Sequence, residues 1–170
     1  MNFLDEDDLL EIGLDTDSAP PDFKPFSQQE KGAAGKYVTF FLGDKLFALV
    51  AEQVAEVVQM LPFTPLPRAP EWLLGIANLR GEIVSVVNLP KLWNEAGAPV
   101  SPKSKLILLR SWDNSVAFAV DRLSEVITLK KQEIQPSEEE NIPHLLGKAT
   151  HKFGVLHLLD AEKICSGLHL

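Results

Sequence analysis

The chain carries the same pattern twice, and this repeat constrains the fold more than any other feature. Residues 75–92 read GIANLRGEIVSVVNLPKL, and residues 147–164 read GKATHKFGVLHLLDAEKI. The segments align without a gap at a spacing of 72 residues, so that Gly75 meets Gly147 and Arg80 meets Lys152. Apolar residues take the same places in both copies: Ile83, Val84, Val86 and Val87, then Val155, Leu156, Leu158 and Leu159.

A second pair of segments supports the repeat. Residues 47–58, FALVAEQVAEVV, resemble residues 118–127, FAVDRLSEVI, with two residues fewer in the later copy. Solenoids and propellers use shorter and more numerous repeats. The sequence therefore predicts two similar modules, which we place at about residues 37–97 and 104–160.

Composition narrows the class of protein. The chain has 170 residues, of which 45% are apolar and 24% charged, as in a globular protein with a real core. No apolar run reaches the roughly 18 residues that suggest a membrane span, and the start MNFLDEDDLLEIG lacks the basic region of a secretory signal. The single cysteine, Cys165, fits a reducing compartment. We expect a cytoplasmic protein with no direct membrane insertion.

The negative charge is concentrated at the start of the chain. Residues 1–35 hold nine acidic and two basic side chains, whereas residues 36–170 hold fifteen and fourteen. We predict that residues 1–35 form an acidic, disordered tail. A partner-binding peptide built on Leu4, Leu9, Leu10 and Ile12 is the alternative. Because the folded part is nearly neutral and has no basic stripe, nucleic acid is not an expected partner.

From Tyr37 onwards the pattern is that of short strands separated by turns, which predicts an all-β barrel or sandwich. Prolines at positions 62, 65, 67 and 70 predict an extended connector; a proline-rich ligand for another domain is the alternative. Residues 71–74 are predicted to make one helical turn. PKLWNEAG in the first copy and AEKICSGL at the end of the chain predict short helices.

The chain resembles CheW-like domains, the adaptor proteins of bacterial chemosensory arrays. The resemblance runs from about Tyr37 to Ile164. It is carried by NLRG at residues 78–81, by VAEVV before the proline-rich connector, by AVDRLSEVITL, and by the Ile134-Gln135-Pro136 step. It implies an all-β fold of two SH3-like five-stranded β-barrels packed about a hydrophobic core, so that residues 36–170 form one CheW-like domain with a short C-terminal helix.

The resemblance also implies a function. Members of the family are non-enzymatic scaffolds that couple chemoreceptors to a CheA-type histidine kinase, in chemotaxis, phototaxis or pilus motility. The expected partners are the regulatory domain of the kinase and the cytoplasmic tip of a receptor, at membrane-associated receptor arrays. No cofactor or catalytic residue is expected. There are two alternatives. One is a small-molecule sensor or enzyme, which needs a deep polar pocket with titratable groups whose pKa values are perturbed; the other is an oligonucleotide-binding barrel.

The histidines do not predict a metal site. They stand at positions 144, 151, 157 and 169, which is not metal-ligand spacing. His151 and His157 would share one side of a strand, but the residues around them are lysine and apolar.

Glu56 and Arg80 interrupt strands that otherwise alternate apolar residues. The resemblance implies that they pair with each other across the first module, whereas two solvent-facing charges would contribute little. If the pair is partly buried, removing one partner would cost about 3–5 kcal/mol.

Further partner-binding residues follow only from the resemblance. It places Val54, Gly75, Asn78 and Gly81 on the partner surface with the pair. It adds Leu106 and Val126 as apolar groove positions of the second module, although a core role for Leu106 fits its run LILLR equally well. The chain departs from the family pattern at Leu74, at residues 147–149 and in its acidic extension.

Overall fold

The computed structural model describes residues 34–110, 115–137, 142–168 and 170. Eleven strands follow in the order β1 (Ala34–Leu42), β2 (Lys45–Val50), β3 (Val54–Gln59), β4 (Phe63–Thr64), β5 (Leu73–Leu79), β6 (Glu82–Asn88), β7 (Lys105–Leu109), β8 (Val116–Val120), β9 (Arg122–Lys130), β10 (Leu145–His151) and β11 (Gly154–Leu159). The short helices are α1 (Leu89–Leu92) and α2 (Ala161–Ser166). The predicted all-β fold is confirmed.

The predicted acidic tail, residues 1–35, lies outside the described residues except at its end. There, Ala34 and Gly35 already belong to β1, where they pair with Lys130 and Leu129 of β9. The β structure thus begins two residues earlier than the predicted domain start at residue 36.

The strands form two sheets whose orders correspond. Sheet A has the order β10-β11-β2-β1-β9, and sheet B, read from its other edge, has the order β4-β5-β6-β8-β7-β3. Apart from the two-residue strand β4, each strand of sheet A has a counterpart in sheet B. An isolated bridge between Gln135 and Lys148 corresponds to the pairing of β4 with β5. The repeat in the sequence therefore produces a repeat in the topology.

The predicted module bounds, 37–97 and 104–160, are wrong, because the two halves of the chain exchange hairpins. The first hairpin, β1–β2, completes sheet A with β9, β10 and β11 from the second half. The hairpin β7–β8 completes sheet B with β3 to β6 from the first half. The joins are parallel: Leu46 of β2 faces Leu156 of β11, and Ser85 of β6 faces Val116 of β8. Each sheet therefore depends on both halves of the chain.

The largest hydrophobic core draws on both sheets. Phe40 and Phe47 of sheet A pack with Ile107, Phe118 and Val87 of sheet B, and all five side chains are buried. Each buried side chain of this size stabilises the fold by about 1.5–3 kcal/mol. A smaller cluster lies within sheet B: Ala77, Val84, Val86, Leu106, Ala117 and Ala119.

The two helices begin in the same way after the last strand of each copy. The side chain of Asn88 accepts a hydrogen bond from the backbone N–H of Lys91 at 3.1 Å, and Asp160 accepts one from Lys163 at 3.1 Å. Such caps satisfy N–H groups that a helix start leaves unpaired. The third predicted helical turn, at residues 71–74, is wrong, because Leu73 and Leu74 already belong to β5.

Candidate functional site

Four of the predicted site residues lie together at one end of sheet B, which we call the Arg80 end: Glu56, Asn78, Arg80 and Gly81. A two-residue turn joins β5 to β6, with Leu79 paired to Glu82 across it. Arg80 and Gly81 have φ angles of 51° and 89°, as the favoured tight hairpin turns require. The side-chain oxygen of Asn78 accepts a hydrogen bond from the N–H of Gly81 at 2.9 Å, which holds the turn.

Glu56 and Arg80 are in direct contact. Both terminal nitrogens of Arg80 donate to the carboxylate of Glu56, at 2.8 and 2.6 Å, in the two-pronged geometry that suits a guanidinium. Since β3 is an edge strand and the turn follows β5 near the other edge, the pair links the two sides of sheet B.

The pair is exposed rather than buried. The side chain of Arg80 is 70% exposed and that of Glu56 33%. The large cost expected for a partly buried pair therefore does not apply, because water can solvate a charge that loses its partner. The hydrogen bond from Arg80 still holds the pKa of Glu56 below its ordinary value, and Glu56 raises the pKa of Arg80. Both groups are therefore charged at neutral pH.

Val54 and Gly75 lie in the fold rather than on its surface. Val54 is 6% exposed and packs in the core between the sheets. Gly75 is buried against the connector, where a Cβ atom would stand 2.3 Å from the carbonyl oxygen of Thr64. Glycine is therefore required at position 75 by the close approach of β4 to β5.

The structure does not bring Leu106 and Val126 to the Arg80 end. Leu106 is completely buried in the cluster within sheet B, so its side chain has a packing role. Val126 lies on β9 of sheet A, where it is half-buried and packs against the large core. The predicted set thus divides into three parts. They are the four surface residues of the Arg80 end, the buried residues Val54, Gly75 and Leu106 of sheet B, and Val126 of sheet A.

Sequence reasoning missed the corresponding end of sheet A, which we call the Lys152 end: Glu125, His151, Lys152 and Phe153. Glu125 on β9 accepts hydrogen bonds from Nζ of Lys152 at 3.0 Å and from Nε2 of His151 at 2.9 Å. The N–H of Phe153 donates to Nδ1 of His151 at 3.3 Å, which assigns the proton of the neutral ring to Nε2. Lys152 and then His151 hold the pKa of Glu125 below its ordinary value.

An aromatic surface adjoins the Lys152 end. Phe153 is 61% exposed, and its ring centre lies 5.9 Å from that of Phe41. The guanidinium carbon of Arg122 lies 3.9 Å from the centre of the Phe41 ring, within the range of a cation–π interaction. The alignment of Arg80 with Lys152 was the signal that could have directed attention to this end.

A buried hydroxyl fixes the backbone beneath the Lys152 end. Thr39 on β1 is 1% exposed, donates to the carbonyl oxygen of Glu125 at 2.6 Å and accepts from its N–H at 3.0 Å. These bonds bridge the irregular register between β1 and β9. They set the position from which Glu125 reaches His151 and Lys152.

The described residues offer little to a cofactor. Within them, no three His, Cys, Asp or Glu side chains are grouped so that they could hold a metal ion. A surface cavity of about 370 Å³ is lined by Glu71, Lys91, Asn94, Glu95 and Ala96. Lys91 lies 3.6 Å from Glu71, so these two lining charges face each other. In the same part of the chain, no helix has the length and hydrophobicity to cross a membrane.

Comparison with known proteins gives consistent similarities. A family model described as "CheW-like domain" matches residues 36–168. Over 154 residues, the chain is 25% identical to the chemotaxis protein CheW of Helicobacter pylori, covering 82% of this chain and 92% of that protein. It is 25% identical over 134 residues to protein FrzA of Myxococcus xanthus, covering 76% and 84%. The crystal structure of the scaffolding protein TtCheW from Thermoanaerobacter tengcongensis superposes with a TM-score of 0.68 at 27% identity, covering 75% and 90%.

Proposed function

The chain belongs to the CheW-like domain family, and from this premise we propose that it is a non-enzymatic scaffold that couples chemoreceptors to a CheA-type histidine kinase. It works in the cytoplasm, at receptor arrays on the membrane. The observation that carries the proposal is the Arg80 end, where a guanidinium and a carboxylate are held together on a tight turn and remain accessible to a partner.

The proposal assigns the Arg80 end to the regulatory domain of the kinase. The exposed guanidinium of Arg80 can leave Glu56 for a carboxylate of a partner, or bond to both carboxylates at once. The tight turn fixes where the guanidinium stands. Glu56 orients Arg80 through two hydrogen bonds, and Asn78 and Gly81 hold the turn. Val54 and Gly75 are buried, so their contribution to binding comes through the packing of sheet B, which carries this surface.

The receptor tip is assigned to the junction of the two sheets. Val126 is half-buried on the edge strand β9, so part of its apolar surface is open to a receptor helix. Leu106 acts only through packing, because its side chain is fully buried.

Binding measurements with purified proteins test the proposal. We expect the full chain to bind both a CheA-type regulatory domain and a receptor cytoplasmic fragment from the same organism. Arg80→Glu should weaken binding to the regulatory domain about tenfold, which corresponds to about 1.4 kcal/mol. Lys103→Glu, at an exposed lysine in the loop before β7, is the matched control for a charge reversal. Absence of binding to both partners, together with tight binding of a nucleotide or metal ion by calorimetry, would instead support the sensor or enzyme alternative.

A further inference from the structure

In both copies, a side chain holds the backbone N–H of the second residue of the hairpin turn, but the two side chains differ in chemistry. In the first copy, the N–H of Gly81 donates to the amide oxygen of Asn78 at 2.9 Å. In the second copy, the N–H of Phe153 donates to Nδ1 of His151 at 3.3 Å. An amide oxygen accepts at every pH, whereas a histidine nitrogen accepts only while it carries no proton. The second turn therefore depends on a group of the type that titrates near neutral pH.

The backbone of the second turn depends on its side-chain hydrogen bond more than that of the first. Two-residue hairpin turns are favoured when φ is positive at the first central residue or at both. Arg80 and Gly81 meet this condition, with φ angles of 51° and 89°. Neither Lys152 nor Phe153 has a positive φ angle. The twist of the strands therefore does not favour this turn by itself, and the hydrogen bond to His151 helps to hold it.

The ring of His151 is enclosed, and both of its nitrogens are used. The side chain is 8% exposed. Nε2 donates to Oε1 of Glu125 at 2.9 Å, so Nδ1 is the nitrogen without a proton. Two charged groups face the ring: Glu125 from β9, and Lys152, whose Nζ lies 3.0 Å from the same oxygen. Arg122 of β9 is directed to the ring of Phe41 instead. Among the described residues, His151 forms no other hydrogen bond or ion pair.

A proton on Nδ1 would affect the two hydrogen bonds of His151 in opposite ways. The charged ring still donates from Nε2 to Glu125, and this bond becomes stronger because both partners are then charged. At Nδ1, however, a new N–H faces the N–H of Phe153, so two donors meet where one hydrogen bond stood. No rotation of the ring restores an acceptor, because both nitrogens of a protonated histidine are donors. The link from β9 to the hairpin thus survives, and the change is confined to the turn.

Phe153 carries this change to the surface. The residue is 61% exposed, and its ring centre lies 5.9 Å from that of Phe41 and 5.3 Å from that of His151. Nζ of Lys152 lies 5.2 Å from the centre of the Phe153 ring. Because Lys152 and His151 bond to the same oxygen of Glu125, a positive charge on His151 also repels Lys152. One proton therefore weakens both the backbone bond and the cation contact of Phe153.

We propose that the turn at residues 151–154 is a proton-sensitive switch that sets the position of the exposed aromatic side chain of Phe153. While Nδ1 of His151 has no proton, it holds the N–H of Phe153 and keeps the phenyl ring on Phe41. When His151 takes up a proton from solvent, the N–H of Phe153 turns to water and the ring leaves Phe41. The Lys152 end then exposes Phe41, which is 8% exposed in the closed turn. The inference concerns the domain alone and does not depend on the proposed function.

An NMR titration of the isotope-labelled full chain tests the switch, from about pH 8 to about pH 5, on both sides of the ordinary histidine value of about 6.5. The ring protons of His151 and the backbone amide of Phe153 should titrate with the same midpoint. The nuclear Overhauser effect between the rings of Phe41 and Phe153 should be lost over the same range. The amide of Gly81 is a matched control within the molecule, and it should not move, because Asn78 does not titrate.

Two variants separate the histidine from its neighbours. His151→Gln removes the titrating ring, so the amide of Phe153 and its contact with Phe41 should become independent of pH. Lys152→Gln removes the neighbouring cation and keeps the ring, so the Phe153 amide should still titrate together with His151. A pH dependence that persisted in His151→Gln would assign the effect to another group and would overturn the inference.

Two further outcomes would also overturn it. In the first, the ring of His151 titrates while the amide of Phe153 and its contact with Phe41 stay constant, so that the proton does not act on the turn. In the second, the amide of Phe153 moves only where the carboxyl of Glu125 titrates, so that the carboxylate and not the ring controls the turn. None of these results involves the regulatory domain of the kinase, so the proposed function is tested separately.

Discussion

The Arg80 end and the Lys152 end occupy corresponding places in the two sheets, but their turns are built differently. At the Arg80 end, the positive φ angles fall on Arg80 and Gly81. At the Lys152 end, the only positive φ angle falls on Gly154, so Phe153 takes the place that Gly81 has in the first copy. At the second position of the turn, the first copy therefore exposes a glycine, and the second copy exposes an aromatic side chain.

In both sheets, the same kind of hydrogen-bonded ion pair connects an outer strand to a hairpin turn. A glutamate on an outer strand, Glu56 on β3 or Glu125 on β9, bonds to a cation in the opposite hairpin turn. At the Arg80 end a single arginine makes both hydrogen bonds, whereas at the Lys152 end Lys152 and His151 make one each. The comparison teaches that the link belongs to the repeated fold, while the exposed residues around it differ and can recognise different partners.

The largest effect that tests the correspondence is expected at the paired glycines. In Gly75→Ala, the new Cβ would meet three backbone atoms of Thr64 and Pro65 at 2.3 to 2.9 Å, which the structure can relieve only by moving β4. We expect a loss of about 3 kcal/mol in the free energy of unfolding. At about 2–4 °C per kcal/mol for a chain of this length, the melting temperature should fall by about 6–12 °C.

Gly147→Ala should behave similarly but with a smaller loss. Its Cβ would meet only one backbone atom closer than 3.0 Å, the carbonyl oxygen of Gln135 at 2.5 Å, and a methyl group of Ile134 at 2.8 Å. Gly43→Ala is the control, because φ is +60° there and no atom stands within 4 Å, so only backbone strain remains. If Gly75→Ala melts like the natural chain and merely binds partners less well, position 75 serves the interface and not the fold.

The repeat made much of the fold predictable, but not which strands pair. Alternation of apolar residues shows that β1 and β7 are strands with a buried face, because side chains alternate along a strand. It does not show which strand pairs with which. Because the two copies are similar, the hairpins β1–β2 and β7–β8 could each pair with strands of either copy. The pairing of Leu46 with Leu156 joins residues far apart in sequence, so the exchange of hairpins could be found only in three dimensions.

The candidate site was predictable where a charge breaks an apolar pattern. Glu56 and Arg80 gave that signal, and the structure brings them into contact. Thr39 gave none, because its hydrogen-bond partner Glu125 lies 86 residues away. Burial of Leu106 was one of two equal alternatives, since a run of apolar residues fits a core strand and a groove alike.

A smaller effect is expected from reversing the charges. Arg80→Glu should weaken binding of the regulatory domain about tenfold, while the melting temperature changes by no more than about 2 °C, because the pair is exposed. Lys152→Glu should disturb its own end less, since His151 still bonds to Glu125. Calorimetric binding and thermal melting of both variants would show whether the two ends differ as their geometry predicts.

The double exchange sharpens this test. Glu56→Arg combined with Arg80→Glu should recover part of the lost binding, because the opposite charges again face each other. Recovery should be incomplete, since the two positions do not offer the reversed groups the same hydrogen bonds. Strictly additive effects would mean that Glu56 and Arg80 act separately, and the link across sheet B would have to be abandoned.

The smallest expected effect is a shift in acid titration, and it separates the two ends by the number of side chains that donate to each glutamate. The pKa values of Glu56 and Glu125 are both held below the ordinary value of 4.5. A carboxyl group with a lowered pKa in the folded state stabilises the fold above its unfolded pKa. This contribution is lost as the pH falls through the folded value. Both ends should therefore weaken only below about pH 4.5, near the ordinary glutamate value.

Carboxyl NMR titration of four proteins would measure the difference: the natural chain, Arg80→Gln, Lys152→Gln and His151→Gln. Arg80→Gln should return the pKa of Glu56 close to its ordinary value, because both hydrogen bonds come from one side chain. Lys152→Gln and His151→Gln should each return the pKa of Glu125 only part of the way, with Lys152 giving the larger change because its hydrogen bond is the main cause of the shift. Each variant is also the control for the other end, where titration should not move. If removal of either side chain alone returned the pKa of Glu125 fully to its ordinary value, His151 and Lys152 would not act together, and the two ends would then be alike in this respect.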